Sequence, residues 1–200
     1  MTKSKFQKKH LGQHFLKNKK ILEEMARAAE LSKKDIVLEV GPGLGSLTEI
    51  LAARAKKVIA VEKDFDLATQ LSKRKTLPKN VKIIHGDILK ISNSQLPKSN
   101  FKIVANIPYY ITSYFLRKFL EAKNKPDLMV LMIQKEVAER ILAKNGKESL
   151  LSLSVKAYAK PEIIRYVSRN NFSPPPKVDS AIIKITTKVS YSVSIVFCNC

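Results

Sequence analysis

Asn106-Ile107-Pro108-Tyr109 closes the apolar run Phe101–Ala105. These residues set an amide, a backbone carbonyl and an aromatic ring at one strand end. An exocyclic amine on a planar base has two N–H groups to satisfy and needs a flat surface to lie on. The Asn106 side-chain oxygen and the Ile107 carbonyl suit as acceptors, and Tyr109 suits as the surface. Pro108 has no N–H and holds the turn stiff. Alone, Asn-x-Pro-Tyr is more often an ordinary strand-to-helix turn. Its meaning depends on what stands upstream.

Upstream lies Glu39-Val40-Gly41-Pro42-Gly43-Leu44-Gly45, after the strand-like Asp35–Leu38 and before helical spacing at Leu47, Ile50, Leu51 and Ala55. A glycine turn between strand and helix lets a ligand approach the backbone closely. The pattern is Gly-x-Gly-x-Gly, not the dinucleotide fingerprint, and Pro42 fits that fingerprint poorly. Val58–Val61 then reads as a second strand ending in Glu62. A carboxylate about 20 residues past the glycine turn suits a ribose diol; by itself it is as readily a solvated residue before a helix. The third strand, Val81–Ile84, exits through His85-Gly86-Asp87-Ile88. Asp87 is placed to accept from an adenine amino group, although a lone aspartate there is more often a cap or turn residue.

Together these strand ends are harder to dismiss, because open parallel sheets bind ligands outside the carboxyl ends of their strands. The implied ligand has an adenine and a ribose but no phosphate, since nothing resembles a Walker lysine loop. That points to S-adenosylmethionine.

Gln13-His14-Phe15-Leu16, Glu39–Gly45, Glu62, Gly86-Asp87, Asn106–Tyr109 and Phe172-Ser173-Pro174-Pro175-Pro176-Lys177-Val178-Asp179-Ser180 occur in this order. The ordered set resembles the ribosomal RNA adenine N6,N6-dimethyltransferases of the KsgA type, from about Gln13 to Ile185. The erythromycin-resistance methyltransferases, which act on large-subunit RNA, are related; Phe172–Ser180 is closer to the KsgA type. The resemblance implies a Rossmann-like S-adenosylmethionine-dependent methyltransferase fold. It also implies dimethylation of two adjacent adenosines near the 3' end of small-subunit ribosomal RNA, within a small-subunit precursor. It assigns the cofactor to His14, Leu16, Gly41, Glu62, Asp87 and Asn106, and catalysis to Asn106, Tyr109 and Phe172. His14 stands where many relatives carry Asn, which implies contact through its backbone. The alternatives are the large-subunit reaction conferring macrolide resistance, a methyltransferase for a small molecule or protein amide, and a non-catalytic RNA-binding assembly factor of the same fold.

The chain has 200 residues and a formal charge of +20, enough length for one core and a balance that favours a polyanionic partner, nucleic acid before membrane. Met1–Lys20 holds Lys3, Lys5, Lys8, Lys9, Lys17, Lys19 and Lys20 and no acid, which reads as a basic arm able to follow phosphates. No run suits a transmembrane helix and no secretory signal is present; a core without cysteine fits a cytoplasmic setting, and a monomer is expected. Cys198 and Cys200 are the only cysteines. They offer two ligands where a structural zinc wants four, so no metal is expected.

The elements that must position these residues alternate. Strands are expected at Asp35–Val40, Lys57–Glu62, Val81–Gly86, Phe101–Asn106 and Leu128–Ile133, with helices at Thr112–Leu120 and Lys135–Ala143. A first helix runs through Ile21, Leu22 and Met25, with Asn18 as its N-cap. Such alternation means an α/β fold with a mostly parallel central sheet and helices on both faces. Leu150–Ala159 suits a strand or a helix. Glu162–Ser168 and Ser180–Thr186 are expected to pair around the proline loop. In that loop Phe172, held before three prolines, is expected to form the far face of a base pocket opposite Tyr109; alone it reads as a loop anchor or an SH3-type ligand. The expected organisation is a basic arm over 1–20, a catalytic domain over 21–187 and an atypical tail over 188–200. There Val189–Phe197 alternates apolar and polar residues where the family continues into a small helical domain.

Overall fold

The computed structural model describes residues 13–98 and 100–188. A seven-stranded sheet runs through it in the order β4 (Val81–His85), β3 (Lys57–Glu62), β2 (Ile36–Val40), β5 (Phe101–Asn106), β6 (Leu128–Gln134), β9 (Ser180–Thr187), β7 (Ala159–Val167). The first five are parallel, and β9 pairs antiparallel with both β6 and β7. This bears out the mostly parallel sheet and the pairing of the two C-terminal strands.

The central strands are apolar on both faces, as a covered parallel sheet requires. In β5, Ile103 and Ala105 face one core and Val104 faces the other. The first core lies under α4 (Thr112–Leu120), α5 (Lys135–Leu142) and α6 (Leu150–Tyr158), with Phe115, Phe119 and Ile141 buried in it. The second lies under α1 (Lys19–Ala28) and α2 (Ser46–Arg54), through Met25 and Leu51. α3 (Phe65–Ser72) packs on β3 and β4. Asn18 caps α1 by accepting from the Lys20 N–H, as its residue type predicts. The ambiguous stretch from Leu150 is helical: Ser149 and Ser152 close a reciprocal capping box at its start.

The expected boundary at residue 20 falls inside the fold. β1 (Phe15–Leu16) pairs antiparallel with β8 (Phe172–Ser173), and α1 starts at Lys19. Short edge pairings like this hold only when docked on a core, and here Leu16 and Phe172 are both buried in the second core. The lysines at 3, 5, 8 and 9, the alternating tail from Val189 and the two cysteines lie outside the described residues.

Candidate active site

The carboxyl ends of β2, β3, β4 and β5, together with the segment before β1, surround one cavity. Its floor is the glycine turn. Gly43 sits at φ +55°, and a Cβ there would stand 2.9 Å from the Phe15 ring. Any side chain at 43 therefore meets both a disfavoured backbone and an occupied space. The Gly43 N–H donates to Glu62 Oε2 at 3.0 Å, and the Asp64 N–H donates to Oε1 at 2.9 Å. Glu62 is thus no solvated surface residue: it is 6 % exposed. Burial raises its pKa, while those backbone donors hold the rise back. Arg74 clips the same turn from outside, donating to the Leu44 carbonyl and to Glu49.

Glu39, on the same cavity, is 1 % exposed, and neither of its oxygens has a hydrogen-bond partner among the described residues. Burial pushes its pKa up to about 8; the neighbouring Thr48 hydroxyl holds the rise back and the Glu62 charge adds to it. An unsatisfied buried carboxyl is costly. It is suited to a ligand that brings a cation or an N–H donor. Sequence reasoning quoted Glu39 within the glycine motif without assigning it a role. The signal was an acid near the end of an otherwise apolar strand.

Asp87 Oδ1 accepts from the Leu89 N–H at 3.0 Å, and Oδ2 pairs with Lys63 Nζ at 3.0 Å. Burial pushes its pKa up, but the Leu89 N–H and Lys63 outweigh that and leave it below the usual range. Asp87 therefore has the turn role that competed in its reading, and it also lines the cavity. The loop behind it is fastened by Lys118 of α4, whose Nζ donates to the carbonyls of Ile88, Leu89 and Ile91 at 2.8, 3.1 and 3.3 Å. Nothing local in the sequence marks Lys118 for this.

At the end of β5, Asn106 Nδ2 donates to the His14 carbonyl at 3.2 Å. That bond fixes the amide, so Oδ1 is its free acceptor among the described residues. The Tyr109 hydroxyl shares a 2.6 Å hydrogen bond with Ser180 Oγ at the start of β9, which keeps the ring standing. His14 Nδ1 lies 2.8 Å from the Pro174 carbonyl. The His14 and Tyr109 rings are close to parallel, 21° apart, with centroids 6.3 Å apart.

His14, Leu16, Gly41, Glu62, Asp87, Asn106 and Tyr109 all line this cavity. Phe172 does not. It is 2 % exposed, packed in the second core across the β1–β8 ladder. The ring expected at the far face of a base pocket thus sits off this cavity: β8 turns it inward, and burying a phenylalanine stabilises more than leaving it on a loop. Among the described residues no three His, Cys, Asp or Glu come together as metal ligands, and no helix is long and apolar enough to cross a membrane.

The family model described as ribosomal RNA adenine dimethylase matches residues 4–194. A ribosomal RNA small subunit methyltransferase A of Dehalococcoides mccartyi is 51 % identical over 180 residues, covering 89 % of this chain and 62 % of that protein. A dimethyladenosine transferase from Plasmodium falciparum has a solved structure with TM-score 0.81 at 40 % identity, covering 88 % of this chain and 64 % of that one. The 23S rRNA methyltransferase ErmE gives TM-score 0.80 at 34 % identity, covering 88 % and 70 %. The chain thus spans less than two thirds of the length of the first two relatives. With the glycine turn, the carboxylates and the Asn106 clamp placed around one cavity, and this match along most of its length, the chain belongs to the ribosomal RNA adenine dimethylase family.

Proposed function

We propose that this chain transfers methyl groups from S-adenosylmethionine to N6 of adenine in ribosomal RNA. Its target is two adjacent adenosines near the 3' end of small-subunit RNA, and it works as a cytoplasmic monomer on an immature small subunit. The observation that carries this reading is the Asn106 amide, tethered through Nδ2 on a cavity wall that Ile107 and Tyr109 also line. The higher identity to the small-subunit enzyme than to ErmE supports that target.

The residues present fit the cofactor. Glu62 offers its carboxylate to the ribose hydroxyls, Asp87 to the adenine amino group, and Gly41 its bare backbone. His14 and Leu16, on the same cavity, would hold it from the β1 side. The orphaned Glu39 carboxyl suits the cationic amino-acid end. When bound, the cofactor supplies an electrophilic methyl group on a sulfonium.

The N6 lone pair of adenine is delocalised into the ring and is a poor nucleophile. Asn106 Oδ1 and the Ile107 carbonyl each accept one N6–H, which favours a pyramidal nitrogen with its lone pair directed at the methyl carbon. The bound methyl donor would give up that carbon to nitrogen, with the electrons of the broken bond remaining on its sulfur. The methylated ammonium is acidic and loses its proton to water, so Asn106 need not act as a base. Alignment supplies much of the rate. The base must leave its stack to reach the site, and the Tyr109 face offsets part of that cost. After one transfer the monomethylated amine rotates and presents its remaining N–H.

The test is a single-turnover assay with methyl-labelled S-adenosylmethionine and immature small subunits, with the modified nucleoside identified by mass spectrometry. N6,N6-dimethyladenosine in small-subunit RNA is expected. Label found only in large-subunit RNA, or none transferred despite cofactor binding, would overturn it.

A further inference from the structure

Lys118 lies in the last turn of α4 and does not line the cavity. Its Nζ donates to the carbonyls of Ile88, Leu89 and Ile91, in the turn by which the chain leaves Asp87. Within that turn the N–H groups are already spent on Asp87. Those of Lys90 and Ile91 donate to its carbonyl, both at 2.8 Å, and that of Leu89 donates to Oδ1 at 3.0 Å. The carbonyls need donors from elsewhere, and three of them converge on one point. An ammonium carries three donors on one atom; an amide carries two and a thioether none. Lys63 meets Asp87 Oδ2 at 3.0 Å, but its side chain is 49 % exposed and touches only the carboxylate. Lys118 instead holds the backbone on which that carboxylate stands.

We infer that Lys118 is a positioning residue for cofactor recognition: it fixes the turn over 88–91 so that Asp87 can accept from the amino group of the cofactor's adenine. This rests on the proposed pairing of Asp87 with that adenine and deepens it by naming what sets the geometry. Carbonyls stripped of their donor in a partly buried turn are costly, so without Lys118 the turn relaxes towards water and carries Asp87 with it. A hydrogen bond weakens steeply with distance and angle. The loss therefore falls on the adenine amino group and spares the rest of the cofactor, because Glu62 is held separately by Gly43 and Asp64.

The test compares the full chain with Lys118→Met, Lys118→Gln and Asp87→Ala. Calorimetry without RNA measures affinity for S-adenosylmethionine and for the analogue with hydrogen in place of the adenine amino group. The unsubstituted chain is expected to prefer S-adenosylmethionine about 10- to 100-fold, the range of a hydrogen bond to a charged group, and Asp87→Ala to lose that preference. Lys118→Met is expected to bind the analogue within about twofold of the unsubstituted chain, while its preference for S-adenosylmethionine falls below about fivefold. Lys118→Gln, with two donors for three carbonyls, is expected to lower the preference at least about threefold, and it decides the matter if the Met variant does not fold. An unchanged preference in a folded Lys118 variant overturns the inference. So does an equal loss of both ligands, which marks a general loosening, and so does failure of both variants to fold, which marks a folding role. No preference in the unsubstituted chain instead refutes the pairing of Asp87 with adenine, and the inference falls with it.

Discussion

The two ends of the cavity are built by different means. At the glycine-turn end, Glu62 is held by N–H groups of Gly43 and Asp64, 19 and 2 residues away. At the Asn106 end the bonds span 92, 160 and 71 residues, to His14, Pro174 and Ser180. The first end is a product of one β-turn-α-β unit. The second exists only after β1, the proline loop and β9 have docked. A short-range frame is specified locally and moves little, whereas a frame closed over long loops depends on the core beneath it. On the proposed function, the cofactor end and the base end should therefore fail in different ways when mutated.

The largest expected effect tests whether the base end rests on the core. Phe172→Ala should lower stability by about 3–5 kcal/mol, read by urea denaturation, because it empties a buried site under the β1–β8 ladder. Phe172→Leu should keep most of the stability and of the turnover. If Leu folds normally yet loses methyl transfer, the ring reaches the base after all and the comparison breaks.

Asn106→Ala should then separate the two ends chemically. Removing an acceptor that acts as the nitrogen reacts should slow transfer about 10²- to 10³-fold, roughly 3–4 kcal/mol by analogy with other preorganised polar groups. With the cofactor contact of Asn106 made through its backbone, calorimetry should show cofactor affinity little changed. Near-normal turnover would sink the acceptor mechanism.

Glu39 probes the other end through pH. Its folded pKa of about 8 lies above the ordinary 4.5, so between those values the folded chain holds a proton that the unfolded chain has lost. Stability is full below about pH 4.5 and falls as pH rises towards 8, by at most about 1.4 kcal/mol per unit. Melting curves of the ligand-free chain from pH 5 to 8 should show that decline, and Glu39→Gln should flatten it. An equal slope in both would mean that Glu39 is already ionised.

Glu62→Ala should weaken cofactor binding by about 1.5–3 kcal/mol, the value of hydrogen bonds to a charged group. The smallest effect sharpens the contrast. Tyr109→Phe removes only the tether to Ser180 and should cost about 0.5–1.5 kcal/mol, read in the turnover rate while cofactor affinity holds.

Much of the glycine-turn end was legible in the residues themselves. Apolar runs of strand length, the Gly-x-Gly-x-Gly turn at positive φ, and an acid at the next strand end are local patterns with local causes. The alternation of strand and helix dictated the parallel sheet and the side on which a ligand binds. Asn106, Ile107, Pro108 and Tyr109 likewise announced a turn bearing an acceptor and a ring. Tertiary structure alone decided where two other rings would lie. A phenylalanine before three prolines and a histidine near the N-terminus look equally available in one dimension. Only the pairing of β1 with β8 turns Phe172 into the core and leaves His14 on the cavity wall. The same holds for Lys118 on the loop behind Asp87 and for the unpartnered state of Glu39. Sequence spacing states what a residue can do, but burial and the partners brought to it from far along the chain determine which of those chemistries remains open.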